Sequence, residues 1–269
     1  KIPVFHDDQH GTAIVVGAAV VNGLKVVGKQ IDQVKLVVSG AGAAALACTG
    51  LLVKLGVPLK NVWVTDIHGL VYEGRTELMD PDKAVYAQAT DKRTLGEVID
   101  GADIFLGLSA GGVLKADMVA RMAPRPLVLA LANPNPEILP EDVKAVRNDA
   151  LIATGRTDYP NQVNNVLCFP YIFRGALDCG ATTITKEMEI AAVHAIADLA
   201  QAEQSEVVAR AYAGHTLSFG PEYLIPKPFD PRLMMKIAPA VAEAAATSGV
   251  AQRPIADLDD YRDRLQTFV

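Results

Sequence analysis

A chain of 269 residues, half of them hydrophobic, can bury a large core, and with 21% charged residues and no like-charge tract it does not read as disordered. The formal net charge of −6, with lysines and arginines scattered, argues against nucleic acid as a partner while leaving room for a small metabolite held by local cations. Cys48, Cys168 and Cys179 form no CxxC pair, which argues against a disulfide framework or a zinc site and for a reduced, cytoplasmic compartment with three core thiols.

The first motif is His6-Asp7-Asp8-Gln9-His10-Gly11-Thr12, just before an apolar helix expected over 12–27. Its two carboxylates suit two roles equally: capping the helix, or offering hard oxygen ligands to Mg²⁺ or Mn²⁺. A pair of carboxylates is too few for a full site, so further ligands have to come from elsewhere. The stretch 12–27 is short for a membrane span and is interrupted by Asn22 and Lys25, so it reads as a buried helix and no membrane partner is expected. A motif so dense in functional residue types, so close to Lys1, gives the expectation that the chain is part of a longer protein.

Next, a short apolar run, 34–40, ends in glycine and is followed by a small-residue helix over 42–55 and a second buried strand over 61–66. This is a strand–helix–strand unit with a right-handed parallel crossover. Its turn, Gly40-Ala41-Gly42-Ala43-Ala44-Ala45, fits the dinucleotide fingerprint. The first glycine permits the tight turn, the second lets backbone approach a pyrophosphate, and the third small residue lets helix pack on strand. The helix N-terminus then offers free N–H groups to the phosphates. Asp66, ending the second strand, is the expected ribose-binding acid and would favour NAD; His68 and Arg75 just beyond could meet the 2′-phosphate of NADP, so the choice stays open.

The alternation continues: helix 94–100, strand 103–108, helix 115–122, strand 126–132, helix 141–147 and strand 150–154. Continuous apolar strands alternating with helices predict an α/β fold, a doubly wound and mostly parallel sheet of Rossmann type covered on both faces. Residues 157–165 form a polar loop, and helices are expected over 169–178, 186–202 and 233–247. This tail is expected to fold back beside the helix at 12–27.

Three loops sit where such sheets bind ligands. Ser109-Ala-Gly-Gly112 follows the strand ending near Leu108. Leu131-Ala-Asn133-Pro-Asn135-Pro-Glu137 follows the next strand, and its prolines could aim an amide or simply make a turn. Asp158-Tyr-Pro-Asn161-Gln-Val-Asn164-Asn165 is rich in amides, which suit a hydroxy acid, though capping explains them as well. Arg156 and Arg174 read equally as carboxylate or phosphate partners and as surface salt bridges.

Taken in order, Phe5-His-Asp-Asp-Gln-His-Gly-Thr-Ala13, Ser39-Gly-Ala-Gly-Ala-Ala44, Ala132-Asn-Pro-Asn-Pro-Glu137 and Gly155-Arg-Thr-Asp-Tyr-Pro-Asn-Gln-Val-Asn-Asn165 resemble the bacterial malic enzymes over essentially all of the chain. The resemblance implies oxidative decarboxylation of (S)-malate to pyruvate and CO₂ with reduction of NADP or NAD, and use of Mg²⁺ or Mn²⁺. It implies that Asp8 is a metal ligand with Asp7 beside it, that Asn133, Asn164 and Asn165 contact substrate or nicotinamide, and that Ala41 to Ala44 lie on the cofactor turn. The family's catalytic Tyr and Lys and its Glu-Asp metal pair fall in no matching context here, so no catalytic acid or base is expected within these residues. They are assigned to a preceding N-terminal domain, with the present chain forming the NAD(P)-binding domain, its core over about 30–160. A homodimer is expected. Two other functions fit the same motifs: a malolactic enzyme, which retains its cofactor and yields lactate, and a non-catalytic dinucleotide-binding regulatory module.

Overall fold

The structure is a computed structural model that describes residues 2–203 and 217–268. A π-helical turn, Asp7–Gly11, runs directly into α1, Thr12–Val27, whose Ile14, Val15, Val16 and Val20 are fully buried. Its apolar side chains are packed inside the protein, as expected of a buried helix.

The strands and helices of the alternating region follow in the expected order: β1 Leu36–Ser39, α2 Ala43–Leu55, β2 Val62–Asp66, β3 Gly69–Leu70, α3 Pro81–Ala84, α4 Leu95–Val98, β4 Ile104–Gly107, α5 Ala116–Ala120, β5 Leu127–Ala130, α6 Pro140–Val146 and β6 Leu151–Thr154. They form one sheet ordered β3-β2-β1-β4-β5-β6, parallel throughout except for the two-residue antiparallel edge strand β3. The order reverses between β1 and β4, which are hydrogen-bonded neighbours, and a doubly wound sheet opens its ligand crevice at such a switch point. Register brings Val37, Phe105 and Val128 side by side on one face. Val98, Val119 and Val143 from the helices, with Ile99 and Leu114 from the segments beside them, belong to the same core cluster, and all eight side chains are nearly or fully buried.

The tail carries α7 Phe169–Asp178, α8 Lys186–Gln201, α9 Arg232–Thr247 and α10 Leu258–Gln266, with α9 packed against α7, α8 and α10. Gly175 lets α7 approach α9 closely, because a Cβ there would meet the Ala238 carbonyl and Val241. Contacts sort the chain into two compact units, residues 1–19 with 164–269, and residues 20–163.

Several elements lie outside the sequence expectations. Strand β3 is too short for a period of two to register. Helix α3 is one turn, started by the Asp80 side chain accepting from the Lys83 N–H with Pro81 at its first position. Helix α10 buries Tyr261 and Leu265 but is otherwise charged, and Asp257 caps it by accepting from the Asp259 and Asp260 N–H groups. The polar loop before α7 ends in a 3₁₀ turn, Asn165–Leu167, which the amide-rich pattern does not announce.

Candidate functional site

The cleft at the switch point belongs to the sheet unit. It encloses about 700 Å³ and is walled by Ser39 to Gly42, by Thr65 to Ile67, by Leu78 to Asp80 with Lys83, and by Ser109, Ala110 and Val113. Gly40 has φ +115°, a left-handed conformation, and a Cβ there would run into the Leu108 carbonyl at the end of β4. The fold itself thus demands that glycine. Gly42 differs: its φ is −81°, and a Cβ would meet nothing within 4 Å. Its carbonyl accepts the first helical bond of α2, from Leu46 N–H, which leaves the N–H groups of Ala43 and Ala44 without an intrahelical acceptor. Backbone donors and the positive end of a thirteen-residue helix therefore face space that the second glycine keeps open.

Asp66 sits at the end of β2 as expected, but its carboxylate is fully engaged. Oδ1 accepts from Arg75 Nη2 at 2.7 Å and His68 N–H at 2.8 Å; Oδ2 accepts from Arg75 Nη2 at 2.6 Å and Lys83 Nζ at 2.9 Å. That uses all four lone-pair positions, so the ribose role finds no free acceptor here. Burial pushes the Asp66 carboxyl up, but the Arg75 and Lys83 bonds and the His68 N–H outweigh it and hold the group below its ordinary value. Arg75 is likewise saturated: Nε donates to the Glu77 carbonyl, Nη1 to the Gly69 and Leu70 carbonyls, and Nη2 to Asp66. With five donors spent, it is a structural bracket for the β2–β3 turn, with no N–H left for the 2′-phosphate that the sequence allowed it to meet. His68 is exposed and contributes its backbone N–H.

The cation that lines the cleft is Lys83, which the motif reading did not single out. Its side chain is 4% exposed and spends two of its three N–H bonds, on Asp66 and on the Leu78 carbonyl. It lies 17 residues beyond Asp66 in the one-turn helix α3, where no spacing rule points to it. One carboxylate against two buried cations leaves this end of the cleft with a local charge of about +1. Ile67, almost wholly exposed next to Asp66, adds an apolar face to the same end.

Beyond β5, Asn133 is exposed, while Glu137 of the same motif is completely buried. The exposed pair Arg156–Asp158 is closed by two bonds of 2.9 and 2.6 Å, and Arg174 bonds Asp178 at 2.6 Å, so both arginines are engaged in local pairs. The three cysteines are buried and unpaired, and burial pushes their thiols up.

The helical unit holds the other predicted residues. Asn165 Nδ2 donates to Asp7 Oδ2 at 2.6 Å, across 158 residues of sequence. Gly11 makes this possible, since a Cβ there would collide with Asp7 Oδ1 and crowd Asn165. Asp7 Oδ1 is enclosed and has no hydrogen-bond partner. Burial and then the neighbouring Asp8 charge raise the Asp7 carboxyl, with His6 acting weakly the other way. Asp8 is exposed. Asn164 takes the capping role: its Oδ1 accepts from Val166 N–H and starts the 3₁₀ turn. His10 Nδ1 stands 3.2 Å from Glu189 Oε1, and Lys186 Nζ bonds the other oxygen of Glu189 at 2.8 Å. No group of three or more His, Cys, Asp or Glu side chains is arranged to hold a metal among the described residues. The two adjacent carboxylates, one with an orphaned oxygen, fit a hard cation as part of its shell only. A larger groove of about 880 Å³ between α8 and α9 sets Glu187, Asp198 and Glu243 against one lysine, Lys236, and His194, a net acidic lining that does not suit a phosphate.

Comparison with known proteins bears on the family and the fold. The model of the family described as "Malic enzyme, NAD binding domain" matches residues 9–209. The chain is 66% identical over 269 residues to the NAD-dependent malic enzyme of Rhizobium meliloti strain 1021, covering all of this chain and 35% of that protein. It is also 66% identical over 270 residues to the NADP-dependent malic enzyme of Escherichia coli K12, covering all of this chain and 36% of that protein. The crystal structure of Entamoeba histolytica malic enzyme superposes with a TM-score of 0.88 at 34% identity, over 99% of this chain and 54% of that one. The chain thus spans about a third of the length of the curated relatives it matches.

Proposed function

Because the chain belongs to the malic enzyme NAD-binding domain family, we propose that its strand-end cleft binds NADP or NAD and that, within the complete protein, it serves the oxidative decarboxylation of (S)-malate to pyruvate and CO₂. The observation that carries the cofactor reading is Gly42, a glycine with ordinary φ and open space where its Cβ would be. Packing gives no reason for that residue, whereas close approach of a pyrophosphate to the α2 N-terminus does. Gly42→Val should abolish dinucleotide binding, followed by the fluorescence of NADPH, while the melting temperature stays near that of the wild type. Equal NADPH affinity in both proteins would move the site off this turn.

Of the two dinucleotides, the reading favours NADP. Two relatives of equal identity carry opposite cofactor names, so overall similarity does not decide. Local charge supports NADP: Asp66 faces two cations, Arg75 and Lys83, and Lys83 has one N–H beyond its bonds to Asp66 and Leu78.

The division of labour follows from what each residue offers. Gly40 and Gly42 shape the turn, and the Ala43 and Ala44 N–H groups take the pyrophosphate. Asn133, exposed at the end of β5, can donate to a carboxylate or carbonyl without titrating. Asn165 fixes one oxygen of Asp7 and leaves the other enclosed and unpaired, which with exposed Asp8 makes up this chain's share of a Mg²⁺ or Mn²⁺ site. When bound, the nicotinamide supplies a hydride acceptor for malate C2 and the cation supplies Lewis acidity at the ketone oxygen. Removal of the C2 hydroxyl proton and return of a proton to the enol need a base and an acid, which this reading assigns to a Tyr and a Lys of a preceding domain. It also takes the complete protein to be a cytoplasmic homodimer.

A further inference from the structure

We propose that Glu137 is the positioning residue of the dinucleotide cleft: its carboxylate ties together the loops after β4 and β5 and, through Ser109, the end of β1. The inference rests on the cofactor reading above and goes beyond it by assigning a role to a side chain that does not line the cleft.

Three bonds define the tie. Glu137 Oε1 accepts from the Ser109 N–H at 2.8 Å and from Ser109 Oγ at 3.3 Å; Oε2 accepts from the Ala132 N–H at 3.0 Å. Ser109 Oγ lies 2.8 Å from Ser39 Oγ, the last residue of β1 before Gly40. With Glu137 as pure acceptor, Ser109 donates to it and Ser39 donates to Ser109, so the direction of the chain is set. The ends of three neighbouring strands, two of them flanking the switch point, are thereby held by one carboxylate. The backbone reinforces the same join, with Gly112 N–H donating to the Pro136 carbonyl and Leu114 N–H to the Glu137 carbonyl. Ser39 and Ser109 face the cleft, and Ala132 directly precedes Asn133.

Two features separate this from a turn that merely happens to contain an acid. Glu137 is 0% exposed, and no cation among the described residues pairs with it; burial pushes its carboxyl up despite the donors from Ser109 and Ala132. A buried carboxylate without a countercharge is costly, and stability alone would favour an uncharged side chain. Gly107, in regular strand β4, would drive a Cβ into the Glu137 carboxyl group. That strand glycine thus serves to make room for the acid. A carboxylate has acceptors on both oxygens, as donors from two separate loops require; an amide has an acceptor on one side only.

The test uses the complete protein with Glu137→Gln, Ser109→Ala and the double variant, measuring NADP and NAD affinity, KM and kcat for the dinucleotide, and melting temperature. Glu137→Gln must turn its NH₂ toward either Ser109 N–H or Ala132 N–H, and dinucleotide affinity is expected to fall about tenfold, one hydrogen-bonded contact's worth. Because Glu137 acts through Ser109, the double variant should lose no more than the worse single variant. Glu137→Gln that lowers the melting temperature but leaves dinucleotide affinity and KM unchanged overturns the positioning role, and so do fully additive losses. If Glu137→Gln does not fold, Ser109→Ala decides: about threefold weaker binding at unchanged melting temperature supports the tie, and unchanged binding overturns it. Wild-type protein that binds neither dinucleotide overturns the cofactor reading instead, a result separate from all of these.

Discussion

Replacing Lys83 with Gln tests the charge arithmetic of the cleft directly. The Lys83 side chain is 4% exposed, so its interaction with an anion is poorly screened. A hydrogen bond from an ammonium to a phosphate in such a place contributes about 1.5–3 kcal/mol, or about ten- to a hundredfold in affinity. Lys83→Gln should therefore weaken NADP by that factor and leave NAD, which lacks the 2′-phosphate, within about twofold, because the pyrophosphate turn is untouched. Asp66 is not orphaned by the change, since both Arg75 bonds and the His68 N–H remain, and stability should fall by only about 1 kcal/mol, or about 2–4 °C in melting temperature. Isothermal titration of both dinucleotides against both proteins measures the ratio that matters. An unchanged NADP-to-NAD preference would refute the argument, even if both affinities fell together, because a shared loss reports damage to the turn and not a missing charge.

Two further outcomes follow from the same cleft. Gly40→Ala should destabilise by about 1–3 kcal/mol in urea unfolding, since φ +115° is closed to alanine and its Cβ would meet the Leu108 carbonyl, whereas Gly42→Ala should cost far less stability. Asp66 is held below its ordinary value of 3.8, so its contribution is present above about pH 4 and is lost as pH falls through the lowered folded pKa; the acid limb of stability measured by chemical denaturation should flatten in Asp66→Asn.

Most of the fold is legible in the sequence because it is written in long-lived signals. Continuous apolar runs, glycine punctuation and helical periodicity place all five parallel strands to within a few residues. What escapes is short or decided by partners distant in sequence. Strand β3 has two residues and borrows its pairing from Thr65 and Asp66. The dinucleotide turn is legible because its glycines act locally. Asp66 is correctly placed at the end of β2, yet its occupancy by Arg75 and Lys83 depends on a loop whose path no periodicity describes. The amides of 161–165 look alike in sequence and differ in space: Asn161 Nδ2 bonds the Ile152 carbonyl, Asn164 caps a turn, and Asn165 holds Asp7.

The glycines make the same point more sharply, and they show where structure adds something sequence cannot hold. Gly40 answers to a backbone angle and a carbonyl, Gly11 to the Asp7 carboxylate, and Gly107 to the Glu137 carboxylate. Each is explained by an atom of this chain. Gly28 and Gly74 have open space around them but positive φ, so conformation accounts for them. Gly42 has open space and an ordinary φ, and neither explanation applies. Gly42 is also the N-cap of α2, where Ser, Thr, Asn or Asp would cap as well and cost less entropy; the glycine keeps the space above the helix end clear for an external atom. The donors on the adjoining helix end give that atom its sign, and Lys83 at the far end of the cleft repeats it: what approaches this face of the sheet is an extended anion.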